Sequence, residues 1–190
     1  MTEAKTPPPP VSLFFGLLVS DAALFEPVEA LLAREYSPIL ERSETIPFNQ
    51  TDYYVEEMGG PILRRWMAVE WLMDPADLAT IKTHTNRIEK IWGEVVQGEM
   101  RRRVNIDPGY LDLSRIVLAS CKDHSHRLYL GQGVYGELTL NYKRATQAYE
   151  PLPWTYADYQ TPAAQDFFLR MRGSHRERAE AWHPVIEPPA

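Results

Sequence analysis

The run "VSLFFGLLV", Val11 to Val19, constrains this chain more than any other stretch. It is almost continuously apolar, without the every-other-residue polarity of a half-buried strand. Nine residues are far fewer than the roughly 20 that a bilayer-spanning helix needs, and no basic leader or small-residue cleavage site accompanies them. The run therefore reads as a β-strand covered on both faces, which demands a sheet with further structure packed above and below it. A chain of 190 residues, 44% hydrophobic and 24% charged, can bury one such core in one domain.

The remaining elements follow from local signals. Leu24, Val28, Leu31 and Leu32 recur at helical spacing after Ser20 and Asp21. Ile39 to Phe48 and Leu63 to Leu72 read as two strands that would pair antiparallel through the intervening loop. "DPADLATIKTHTNRIEKIWGEVV" is the strongest helix, with Asp74 as cap, Pro75 in the first turn, and a buried stripe of Leu78, Ile81, Thr85, Ile88, Trp92 and Val95. Gly98 is its expected stop. "VNIDPGYL" reads as a short strand ending in a Pro-Gly turn. In "DLSRIVLASC" the length and the Asp112 cap favour a short helix, while the branched residues allow a strand.

"HRLYLGQGVYGELTLNY" is a hairpin by alternation. Leu128, Leu130, Val134, Leu138 and Leu140 are expected on an inward face, with Arg127, Tyr129, Tyr135, Glu137 and Thr139 on an open one. A Gly-Gln-Gly loop sets Arg127 opposite Glu137 and Tyr129 opposite Tyr135. A last helix starts at Thr161 and Pro162 and turns Phe167, Phe168 and Met171 inward. Residues 1–10 read as a disordered proline-rich arm, 11–182 as the domain and 183–190 as a tail. The class is α+β, with a mixed or antiparallel sheet and helices mainly on one face. The order of the first six elements matches the βαββαβ core of ferredoxin-like folds, to which a C-terminal hairpin and helix are added.

Several phrases together resemble a bacterial family of unknown function, domain-of-unknown-function family 4416. They are "FFGLLVSD", "PFNQTDYYVEEMG", "NRIE", "RRRVNIDPGYL", "LASCKDHSHRLYLGQGVYGELTL" and "PLPWTYADY", spread over Val11 to Arg172. The resemblance implies a fold and a cytoplasmic setting, and it carries no established activity. One cysteine excludes an internal disulfide, in keeping with a reducing compartment. A net charge of -6 disfavours a protein that coats nucleic acid. The chain contains no phosphate-cradling G-x-x-x-x-G-K-[ST] loop and no G-x-S-x-G, H-E-x-x-H or C-x-x-C motif. No particular cofactor is indicated, and oligomeric state is not legible.

The densest chemistry lies in "CKDHSHRLYLG". His124 and His126, with Cys121, Asp123 or Asp107, have the residue types of a zinc or iron site. The family pattern has an aromatic residue where His124 stands, so no metal site is expected. The plain reading is a polar loop entering a strand. The sharper reading is a ligand site formed if the "NIDPGY" turn packs beside the hairpin. Arg103, Asn105, Lys122, Arg127, Glu137 and Tyr53 would then hold an anionic small molecule, a nucleotide or phosphorylated metabolite. His126 or Asp107 would move a proton in acid–base or phosphoryl chemistry. The alternatives are a non-enzymatic interaction module and a metal-dependent hydrolase. Lys82, Asn86 and Glu89 are expected on an exposed helix face, the alternative being a polar patch in a cleft. Trp154, Tyr156 and Tyr159 are expected to clamp the last loop.

Overall fold

The computed structural model describes residues 8–49, 57–96 and 98–182. Strand β1 (Val11–Val19) is buried at every position, as its apolar run requires. It lies at the centre of an antiparallel sheet, between β4 (Ile62–Met73) and β7 (Val104–Leu111). Strands β2 (Ile39–Arg42) and β3 (Ile46–Phe48) both pair with β4. The single strand expected over Ile39 to Phe48 is thus broken: Ser43 still donates its N–H to the Trp66 carbonyl at 2.9 Å, but its hydroxyl, not its own carbonyl, accepts the Trp66 N–H. The order β7-β1-β4-β2 is the split βαββαβ arrangement. Strands β8 (Arg115–Ser120), β10 (Val134–Lys143) and β11 (Ala148–Pro151) extend it, β9 (Leu128–Gly131) pairs with β10, and β5 (Glu94–Val96) and β6 (Glu99–Arg101) form a separate hairpin.

Helices α1 (Phe25–Glu35) and α2 (Leu78–Glu89) cover one face. Phe25, Val28, Leu32, Leu78, Ile81 and Ile88 join Leu13, Phe15 and Leu17 of β1 in that layer. Helix α3 (Pro162–Ala181) covers the other, where Phe167, Phe168 and Met171 pack with Phe14, Trp66 and Leu140. Alternate residues of β1 therefore serve opposite cores. No described helix is long and apolar enough to cross a membrane. Tyr53 and the chain ends 1–7 and 183–190 lie outside the described residues, and Pro10 of the expected arm is buried.

Four local expectations are corrected. Helix α2 yields to a 3-10 turn over Lys90–Trp92 and ends at Gly93 rather than Gly98, which leaves Val95 exposed on β5. "DLSRIVLASC" is strand β8: Asp112 accepts the Ser114 and Arg115 N–H groups, so it closes the β7–β8 turn instead of capping a helix. The hairpin alternation fails in both arms. A bulge between Leu138 and Leu140 leaves Leu138 half-buried and Thr139 fully buried. Leu128 and Leu130 of β9 are exposed. The expected contrast between an inward Leu138 and an open Thr139 is thereby removed.

The fourth correction shapes the molecule. Pro108 and Gly109 lie inside β7 instead of turning. β7 pairs with β1 from Val104 to Leu111, but with β8 only from Gly109 to Leu111. Backbone groups on a strand alternate sides. The Ile106 N–H points away from β1 to Glu89, so the next N–H on that side would belong to position 108, which is proline and has none. The ladder stops there, and β7 and β8 part. Gly109 is required for a different reason: a Cβ there would lie 2.5 Å from Phe14 and 2.7 Å from the Val117 carbonyl oxygen. Gly109→Ala is expected to cost about 1–3 kcal/mol in urea unfolding, the range of a forced core insertion.

Candidate functional site

The parting of β7 and β8 opens a cleft of about 390 Å³. Ile106 should have found its hydrogen-bond partners on a neighbouring strand. Two side chains of α2 replace that strand. The Ile106 N–H donates to Glu89 Oε1 at 2.7 Å, and Lys82 Nζ donates to the Ile106 carbonyl at 3.0 Å. Lys82 and Glu89 are each 5% exposed. A buried backbone pair is thereby satisfied at the cost of bringing two charges inside, and each charge needs a counterpart.

The counterparts come from β7 and the segment before it. Lys82 Nζ lies 3.0 Å from Asp107 Oδ1, and Asn105 Nδ2 donates to Asp107 Oδ2 at 2.6 Å. Arg102 reaches Glu89 Oε2 at 3.2 Å, Asn105 Oδ1 at 2.8 Å and Glu57 Oε2 at 2.7 Å. Burial by itself would lower the Lys82 pKa, but Asp107 and Glu89 outweigh it and hold the ammonium charged. Burial would raise that of Asp107, yet Lys82, Arg64 and Asn105 keep its carboxyl below the usual range. Glu89 goes the other way: burial pushes it up, and Lys82 and the Ile106 N–H offset this only in part.

The opposite wall is built on Arg127. Its Nε donates to Glu137 Oε2 at 2.8 Å, as the hairpin register predicts, and Tyr129 stands opposite Tyr135. Nη1 donates to the Ser120 hydroxyl at 2.7 Å and to the Lys122 carbonyl at 2.8 Å, and Nη2 to the Tyr156 hydroxyl at 2.8 Å. Four of the guanidinium's five N–H groups are thus bound to protein. The pair is buried, with both side chains 2% exposed, and the expected open-face location is corrected. The face is closed by the loop after β11: Trp154 Nε1 donates to the Leu138 carbonyl and the Thr155 hydroxyl to that of Thr139.

Of the residues singled out from sequence, Asn105, Asp107, Lys122, Arg127 and Glu137 line the cleft. Arg103 does not; it lies 3.8 Å from Asp21 while Arg102 takes the cleft position. His126 stands behind the wall, with Nε2 3.0 Å from Glu137 Oε2 and its ring stacked between His124 and Trp154. Cys121 is exposed at the cleft and accepts a hydrogen bond from Asn86 Nδ2 at 3.3 Å. Among the described residues no group of three or more His, Cys, Asp or Glu side chains is placed to hold a metal ion. Glu57, Lys82, Asn86, Glu89, Lys90, Arg102 and Tyr156 add further polar side chains to the lining. The exposed face expected for Lys82, Asn86 and Glu89 is therefore corrected to a cleft wall. Their spacing beside the apolar stripe, and the "NRIE" phrase, were the signal.

No curated protein and no solved structure matches this chain. Residues 9–175 match the family model described as a domain of unknown function (DUF4416), and the chain belongs to that family.

Proposed function

We propose that the cleft between β7 and β8 binds an anionic small molecule of the class of nucleotides and phosphorylated metabolites. The observation that carries this reading is the sign of the charge in the cleft. In a chain of net charge -6, five cations line it (Lys82, Lys90, Arg102, Lys122, Arg127) against four carboxylates (Glu57, Glu89, Asp107, Glu137). Lys82, Arg102 and Arg127 are engaged with those carboxylates, which fixes the floor and wall. Lys90 and Lys122 are the exposed cations of the lining, suited to meet an anion at the mouth. Tyr156 offers an adjoining half-exposed ring. Asp107, held ionised, is the proton or hydrogen-bond acceptor for acid–base or phosphoryl chemistry in the cleft.

A thermal-shift panel of inorganic phosphate, sugar phosphates and nucleotides tests this. A ligand at a hundred times its Kd adds about 2.7 kcal/mol, which for a chain of this size raises Tm by about 5–10 °C. The double substitution Lys90→Ala, Lys122→Ala is expected to abolish that rise while moving the unliganded Tm by less than about 2 °C, because both residues are exposed. A panel without any stabilising anion, or a double variant that responds in full, overturns the reading.

A further inference from the structure

A second depression lies on the other side of α2, between the end of α1 and the end of β4. It measures about 490 Å³ and is lined by Glu35, Tyr36, Trp71, Asp77, Thr80, Ile81 and His84. Its composition is the reverse of the first: two carboxylates, two large aromatic rings, and neither lysine nor arginine in the lining. The Tyr36 and Trp71 rings lie 6.3 Å apart with planes inclined by 20°. Trp71 is 38% exposed, so part of its indole is open to solvent at the rim of the depression.

The rings are held in position. The Tyr36 hydroxyl lies 2.9 Å from His84 Nδ1, and its ring packs on buried Phe15 at 5.1 Å. The Trp71 N–H donates to the Ser37 hydroxyl at 2.8 Å, which fixes the backbone from which the indole projects. Asp77 immediately precedes α2, where the helix dipole favours a negative charge, and its carboxylate has no ion pair among the described residues. Glu35 is shared between Arg34 at 2.9 Å, which points to solvent, and His84 at 3.9 Å. Aromatic faces attract cations through their ring quadrupoles, and flanking carboxylates add to that attraction. With Glu35 already paired to Arg34, Asp77 is the carboxylate left to add to the rings, and a depression with these features and neither lysine nor arginine in its lining favours an organic cation over an anion or a neutral ligand.

We propose that this depression is a binding site for a small alkylammonium cation, independent of the anion cleft. The trimethylammonium head of choline is the probe, and 3,3-dimethyl-1-butanol, the same shape without the charge, is its control. The indole N–H resonance of Trp71, assigned by its loss in Trp71→Leu, is followed during titration in NMR at constant ionic strength. Choline is expected to shift it saturably, and the neutral isostere to bind about two- to fivefold more weakly, the ratio a cation–π contact at an exposed site provides. Glu35→Gln with Asp77→Asn is expected to weaken choline by a similar factor without altering the fold, since both side chains lie at the surface. The proposal is overturned if choline leaves the Trp71 resonance unmoved at about 100-fold excess. It is also overturned if the isostere binds as well as choline, or if the double carboxamide variant binds choline undiminished.

Discussion

Arg127→Ala is expected to destabilise the protein by about 3–5 kcal/mol, the cost of leaving one member of a buried ion pair without its counter-charge. The Glu137 carboxylate would keep His126 at 3.0 Å, but it would lose its only guanidinium in a setting where 1% of the residue is exposed. Ser120, the Lys122 carbonyl and Tyr156 would lose their common donor at the same time, and with it the tie between β8, the β8–β9 loop and the loop after β11. In a chain of this size the loss corresponds to a fall in Tm of about 6–20 °C. Urea unfolding of Arg127→Ala, Glu137→Leu and the double variant checks it. The double variant is expected to recover part of the loss, because no charge is then stranded. A single variant within about 1 kcal/mol of wild type would show that Arg127 is a surface partner after all.

Lys82→Met is expected to cost a similar amount, about 3–5 kcal/mol. The methionine fills the space of the lysine stem but leaves the Asp107 carboxylate without its ammonium and the Ile106 carbonyl with only the long contact from the Thr85 hydroxyl at 3.5 Å. Adding Asp107→Asn should restore part of the stability. The pH dependence has a definite sign. The Asp107 pKa is depressed on folding, so its contribution is present above the ordinary value of about 3.9 and is lost as pH falls through the lower folded value. The Lys82 pKa is raised, so its contribution is present below about 10.4 and is lost as pH rises through the higher folded value. The difference in unfolding free energy between wild type and Lys82→Met should therefore shrink on acidification, as Asp107 takes up a proton, and above about pH 10.4, as Lys82 loses its own. Guanidinium unfolding at pH 3, 7 and 10.5 measures it. A difference that grows on acidification would contradict the pairing.

Local signals in the chain were enough to specify β1, the pair formed by β4 with its neighbours, the start of α2 and the Arg127–Glu137 pairing. Each rests on interactions between residues close in sequence: an unbroken apolar run, a cap followed by proline, a two-glycine loop that sets the register of its own strands. The order of the elements was likewise sufficient for the split βαββαβ core, because short connections leave few ways to arrange them. What tertiary structure decided is whether a polar residue faces water. Thr139 and Glu137 sit on a face that alternation marks as open, and the loop carrying Trp154 and Thr155, one strand and 16 residues further along, closes it. Lys82 and Glu89 look like a solvated helix stripe until Pro108 ends the β7–β8 ladder and leaves Ile106 in need of partners from α2. A proline's missing N–H is visible in any sequence. Which strand it fails to bond, and which side chains fill the gap, depends on neighbours that only the folded sheet supplies.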